Sequence, residues 1–222
     1  MAALELLRIL TLASAVLCLA ALAFLIGRTL AFGRREYLSA PRGYAGHGIV
    51  YAFGRGMIEK ESVARHLPTF IGGMLYHSSI FAGLLYLFWT VLFPGTVLLV
   101  WAFRPVLLAG AAVGLALLFK RASKPRLRKL SCPDDFFANL IVDLFLVLAF
   151  LHTLVPTLVA ALLAVSTLLF LYIPLGKIRH CFFFFATRLA FGLHYGRRGA
   201  LPLTNGGGQP YKSTGGQGFQ PR

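Results

Sequence analysis

Apolar residues along the chain fall into five long runs, separated by polar or turn-forming segments. The runs cover Leu6–Phe32, Phe70–Phe93, Thr96–Phe119, Pro133–Val155 and Thr157–Phe185. Each has about 20 residues or more, the length that an α-helix needs to cross the hydrocarbon core of a bilayer. The pattern therefore predicts an all-α, integral membrane bundle of five helices.

The segments outside the runs define the expected domain organisation. Gly33–Arg65 is a polar connection, and its part Gly48–Met57 mixes apolar and aromatic residues with glycine, which is typical of a segment lying along the membrane interface. We expect residues 1–196 to form one five-span domain. Residues 197–222 are rich in Gly, Gln and Pro and are expected to form a disordered cytoplasmic tail.

The composition supports a membrane protein and argues against a nucleic-acid-binding protein. Hydrophobic residues make up 58% of the chain and charged residues 13%, against about half and a quarter in soluble domains. The formal charge of +15 suggests nucleic acid, but the basic residues lie between the apolar runs and form no interleaved aromatic platform. By the positive-inside rule these basic residues place the amino terminus outside and the tail in the cytoplasm. Membrane lipid is therefore one expected partner of the chain.

Two histidines carry the main hypothesis about function. His77 lies inside the second run, where an ionisable ring is costly and indicates a functional role. His180 lies near the cytoplasmic end of the fifth run, and His77 is about 15 Å into the second, so both belong to the inner half of the membrane. Facing helices commonly supply histidine axial ligands to haem. The pair is therefore a candidate haem b site; the alternative is two unrelated polar residues packed between helices.

The other histidines give weaker hypotheses. His66 and His194 fall close to the helix faces of His77 and His180, so they are candidate ligands of a second haem. His152 lies near the outer end of the fourth run, where the second run offers no histidine or methionine at the same height. Its alternatives are a hydrogen bond to a quinone and a satisfied interfacial histidine.

Charged residues near or within the runs complete the candidate site. Asp143 and Arg104 have nearly the same expected depth, which predicts an interhelical ion pair, with a proton or quinone role for Asp143 as the alternative. Lys177 and Arg179 flank His180. They are candidates to neutralise haem propionates, or they act as positive-inside flanking residues.

The sequence contains no constellation for group transfer or hydrolysis. Its three cysteines, Cys18, Cys132 and Cys181, are isolated and form no motif for covalent haem, zinc or an iron–sulfur cluster. Any such cluster must belong to a partner chain. A haem-free structural anchor or a small transporter subunit is the alternative function.

Three stretches together resemble a known family. Met74–Gly83, Leu130–Phe137 and Ile173–His180 are similar, in order and spacing, to stretches of membrane cytochrome b subunits related to the gamma subunit of respiratory nitrate reductase. That family includes the membrane subunit of heterodisulfide reductase. The similarity covers the region from about Leu6 to Phe185 and excludes the tail.

The resemblance implies a specific cofactor arrangement. The family stacks two haems between its second and fifth spans, and its cytoplasmic-side ligand pair falls on His77 and His180. The second pair falls on Leu87 and Leu162, so the resemblance favours one haem b.

The resemblance also implies a function. The chain would be a multi-pass, membrane-anchoring electron-transfer subunit of an oxidoreductase complex in a prokaryotic cytoplasmic (inner) membrane. It would pass electrons through haem b between the quinone pool and a cytoplasmic iron–sulfur partner. The chain itself would be non-catalytic or quinone-reactive.

Overall fold

The computed structural model describes residues 2–32, 40–59, 61–95 and 100–201, and every regular element in these ranges is helical. Two 3₁₀ turns, Pro156–Leu158 and Lys177–Arg179, precede the last two helices. The α-helices, in chain order, are α1 (Ala2–Phe32), α2 (Ala45–Phe53), α3 (Arg55–Ile58), α4 (Glu61–Arg65), α5 (Leu67–Leu92), α6 (Val100–Ser123), α7 (Pro125–Leu130), α8 (Pro133–His152), α9 (Val159–Tyr172) and α10 (His180–Arg197).

Several of these helices are long and apolar enough to cross a membrane. Within the described residues, α1, α5, α6 and α8 each meet this criterion, and the segments Pro156–Tyr172 and Lys177–Arg197 meet it together. The all-α prediction is therefore confirmed, with four candidate spans, or five if the bent pair is one span.

The fifth apolar run forms two helical segments, and the break between them lies at Pro174–Gly176, where the sequence allows a bend. The two segments are bent by 75° at a break after Tyr172, and α10 continues beyond Phe185 to Arg197. Pro174 and Gly176 lie in this break. Proline lacks the N–H that a helix interior needs, and glycine is a poor helix former, so the break falls where the sequence is least able to sustain a helix.

The chain divides into two compact units, the first formed by Met1–Arg34 and Ser62–Phe183. In its described part α1 packs on α9, and α6 packs on α5 and α8. Its core contains fully buried side chains from these helices, among them Leu22, Tyr86, Leu87, Leu107, Phe145, Leu146, Leu162 and Leu163.

The second unit comprises Arg35–Glu61 and Phe184–Arg222. Here the backbones of α2 and the later part of α10 are in direct contact. A Cβ at Gly48 would overlap the Gly192 carbonyl, so only glycine allows this approach. The backbone N–H groups of Arg42 and Gly43 donate to the Arg197 carbonyl, with N···O distances of 2.9 and 3.0 Å. The expected disordered tail lies outside the described residues from 202 onward, and the expected interfacial position of Gly48–Met57 stays a prediction.

Residues at the start of α8 contact the segment that joins α9 to α10. The Asp134 carboxylate accepts a hydrogen bond from the Lys177 N–H at 3.1 Å and another from the Tyr172 hydroxyl. The Lys177 ammonium lies 2.8 Å from the Asp135 carboxylate, which is also 3.5 Å from the guanidinium of Arg121. Two of the three stretches singled out in the sequence thus contact each other, and together they fix the segment that leads into His180.

Candidate functional site

The structure brings together two histidines from distant parts of the chain. His77 lies in the first half of α5, about 15 Å from its start, and His180 is the first residue of α10. Their ring centroids are 6.3 Å apart and the ring planes are nearly perpendicular, at 80°. Both rings are partly exposed.

Backbone carbonyls fix the orientation of both rings. His77 Nδ1 lies 2.7 Å from the Gly73 carbonyl oxygen, and His180 Nδ1 lies 2.6 Å from the Lys177 carbonyl oxygen. A carbonyl can only accept, so each Nδ1 carries the proton. In the neutral ring each Nε2 then presents a lone pair, and a backbone-bound Nδ1–H is the usual arrangement of a metal-ligating histidine.

A cysteine is the third member of this cluster. The Cys181 sulfur lies 3.5 Å from His180 Nε2, and one ligand atom from each of His77, His180 and Cys181 lies within 4.8 Å of the others. In the sequence Cys181 is isolated, so this role was not predicted. The available signal was its position next to a candidate ligand, although only the fold brings His77 to the same point.

An open groove lies beside the cluster. It is lined by apolar and charged residues, namely Asp134, Leu175, Gly176, Lys177, Arg179, His180 and Phe183. Lys177 and Arg179 are exposed, as their candidate role toward propionates requires, but the Lys177 ammonium already contacts Asp135. The propionate role of both residues stays a prediction.

The donor set fits a haem iron held by two imidazoles. Two metal–imidazole bonds of about 2 Å, end to end, separate the nitrogens by about 4 Å. The ligand atoms of His77 and His180 lie within 4.8 Å of each other, so a small adjustment gives this separation. The two histidine nitrogens and the Cys181 sulfur together also form a ligand set of the kind that binds a single metal ion.

A buried polar cluster lies next to the histidine pair along α5. Asp143, which is 1% exposed, accepts a hydrogen bond of 2.5 Å from the Tyr76 hydroxyl and one of 2.8 Å from Asn139 Nδ2. Tyr76 precedes His77, and their ring centroids are 6.1 Å apart. A spacing of four residues between Asn139 and Asp143 was the signal in the sequence for this contact.

The predicted ion pair between Asp143 and Arg104 is wrong. The Arg104 guanidinium instead donates to the Thr153 carbonyl oxygen at 2.6 Å and lies over the Trp101 ring, 4.0 Å from its centroid. Thr153 caps the carboxyl end of α8, where unpaired carbonyls and the helix dipole favour a cation. Arg104 is close to the start of α6, so its long side chain reaches this end of α8 and not the level of Asp143.

The remaining candidate residues lie elsewhere. His152, in the last turn of α8, has its Nδ1 2.6 Å from the hydroxyl of the buried Tyr86. His66 precedes α5 in the first unit, and His194 lies in the last turn of α10 in the second unit. The quinone role of His152 or Asp143 and the second haem at His66 and His194 stay predictions.

These features define a helical protein with several helices able to cross a membrane and a histidine–cysteine cluster on two of its helices. Comparison of the chain with models of known protein families, with curated proteins and with solved structures finds no match in any of the three.

Proposed function

We propose that the chain is a membrane-anchored electron-transfer subunit that binds one haem b through His77 and His180. The observation that carries the proposal is the convergence of these two rings, with ligand atoms within 4.8 Å and each Nδ1 held by a backbone carbonyl. When bound, the haem supplies a one-electron couple. His77 and His180 would hold the iron, and the carbonyls of Gly73 and Lys177, which accept the Nδ1 protons, leave Nε2 of each ring as the ligand atom.

A single haem is favoured over two. The resemblance would require a second ligand pair at residues 87 and 162, and both positions hold leucines that are fully buried in the core of the first unit. An apolar, close-packed interior has no room for a further macrocycle without extensive rearrangement. We therefore propose one haem, near the end of the bundle where α8 begins, and none at residues 87 and 162. A second haem at His66 and His194 is the alternative that the haem-to-protein ratio tests.

Electrons would pass between the quinone pool and an iron–sulfur partner in the cytoplasm. The basic residues support the direction of insertion, because α7 and its flanks carry Lys120, Arg121, Lys124, Arg126, Arg128 and Lys129. By the positive-inside rule this side, which also carries His180, would face the cytoplasm. A prokaryotic inner membrane is what the family resemblance implies. Such a surface suits an acidic redox partner as well as anionic lipid.

The proposal is tested by replacing each ligand separately. His77→Ala and His180→Ala, expressed with sufficient haem, should each reduce the haem content of the purified chain at least about tenfold. His47→Ala is the matched control, because His47 lies in α2 of the second unit, and it should retain the wild-type haem content. Wild-type haem content in either ligand variant would refute the assignment.

A further inference from the structure

The cluster of His77, His180 and Cys181 contains one more ligand than a haem held by two histidines needs. We propose that, in the chain without haem, these three side chains bind one thiophilic divalent metal ion such as Zn²⁺ or Cd²⁺. This inference uses two residues of the proposed haem site, but it rests on their geometry alone and does not require haem to bind.

The distances fit tetrahedral coordination. With bonds of about 2.0–2.3 Å, neighbouring ligand atoms around zinc are roughly 3.3–3.8 Å apart. The Cys181 sulfur and His180 Nε2 are already 3.5 Å apart, and the whole set lies within 4.8 Å. Movement of about 1 Å at the longest separation completes three corners of the tetrahedron, and a water molecule would supply the fourth ligand.

The surroundings prepare the histidines for a metal. Gly73 and Lys177 each accept the Nδ1 proton of one ring, which leaves Nε2 as the ligand atom in both. Cys181 binds as a thiolate, so metal binding releases its thiol proton to solvent. A set of two imidazoles and one thiolate selects soft or borderline ions over Mg²⁺ and Ca²⁺, which prefer oxygen ligands.

Haem and the metal ion would compete for the same nitrogens. Two histidine nitrogens are sufficient for the axial positions of haem iron, whereas the zinc site also needs the sulfur of Cys181. Replacement of Cys181 therefore separates the two occupants. Zn²⁺ should hinder haem loading of the wild-type chain and have much less effect on the Cys181→Ser variant.

The test uses the full-length chain purified from haem-limited cells and titrated with Cd²⁺. The wild type should bind one Cd²⁺ per chain and develop the ultraviolet charge-transfer absorption of a cadmium–thiolate bond. Cys181→Ser should lose that absorption and bind at least about 100-fold more weakly, because even an outer-shell partner is worth up to that factor. Cys132→Ser is the matched control, since Cys132 is an exposed free cysteine at the start of α8, and it should bind as the wild type does.

A second measurement keeps the inference testable if the Cys181→Ser variant does not fold. Zn²⁺ should protect Cys181 of the wild type from alkylation, measured by peptide mass spectrometry, while Cys132 is alkylated at an unchanged rate. The inference is overturned if Cys181 reacts equally fast with and without Zn²⁺, or if Cys181→Ser retains wild-type Cd²⁺ affinity. A chain that binds Cd²⁺ through Cys181 but never binds haem would refute the proposed function and leave this inference standing.

Discussion

At the scale of single residues, the buried carboxyl group of Asp143 has an unusual environment for a membrane-spanning segment. Each of its oxygens accepts one hydrogen bond from a neutral donor, Tyr76 on α5 and Asn139 one turn earlier on α8. A buried acid without such donors costs several kcal/mol, so the cluster is a structural requirement of this helix pair. It also connects α8 to the helix that carries His77.

Removal of the tyrosine hydroxyl tests this connection. Tyr76→Phe leaves one carboxyl oxygen without its donor and should lower the free energy of unfolding by about 1–3 kcal/mol, measured by denaturant titration in detergent micelles. Tyr44→Phe is the control, because Tyr44 is 77% exposed, and it should be neutral. Equal stability of Tyr76→Phe and the wild type would show that the hydrogen bond contributes nothing.

The sequence led to the distant pair His77 and His180, whose ring centroids are 6.3 Å apart, but not to the other contacts around them. The four-residue spacing of Asn139 and Asp143 could have been read from the helix period. The expected partner of Asp143 was wrong, because Arg104 lies only about one turn from the start of α6, level with the end of α8 and not with Asp143. Cys181 was missed for another reason, since the fold alone brings His77 to it.

At the scale of the helices, small residues allow α6 to approach its neighbours closely. Gly110 and Gly114 form a Gly-x-x-x-Gly spacing, which is common where membrane helices pack. A Cβ at Gly110 would overlap Ser79 of α5. At Gly114 it would overlap the Asp143 carboxylate and come within 2.5 Å of the Tyr76 ring, so this glycine makes space for the polar cluster.

A single added methyl group should therefore disturb the packing of α6. Gly114→Ala should destabilise the chain by about 1–3 kcal/mol, the usual cost of overpacking, in the same denaturant titration. Gly27→Ala on α1 is the matched control, because a Cβ added there would have no neighbour within 4 Å, and it should be neutral or stabilise by up to about 1 kcal/mol. If the two variants change the free energy of unfolding equally, the close packing of α6 does not determine the effect of Gly114→Ala.

Helix existence was far easier to predict than helix continuity. The lengths of α1, α5, α6 and α8 follow from the apolar runs, because burial in lipid requires about 20 apolar residues. The break between α9 and α10 has a sequence cause in Pro174 and Gly176. The segment at the 75° bend also contacts Asp134 and Asp135, which lie about 40 residues earlier and leave no local signal in the fifth run.

At the scale of the whole molecule, the features that support a role in electron transfer lie at one end of the first unit. The start of α8, the break before α10 and the groove beside His180 meet there, and the basic segment around α7 leads into the start of α8. Further along the bundle the core is closed by buried leucines and aromatic rings. This asymmetry is the physical basis for proposing one haem, a cytoplasmic partner and no second site at Leu87 and Leu162.

The ratio of haem to protein tests this account most directly. The full-length chain, purified after expression with sufficient haem, should contain one b-type haem per chain, with the spectrum of low-spin iron held by two imidazoles. A ratio of two would contradict the single site. A ratio of zero, with no b-type band in the reduced-minus-oxidised spectrum, would contradict the convergence of His77 and His180 on a haem iron.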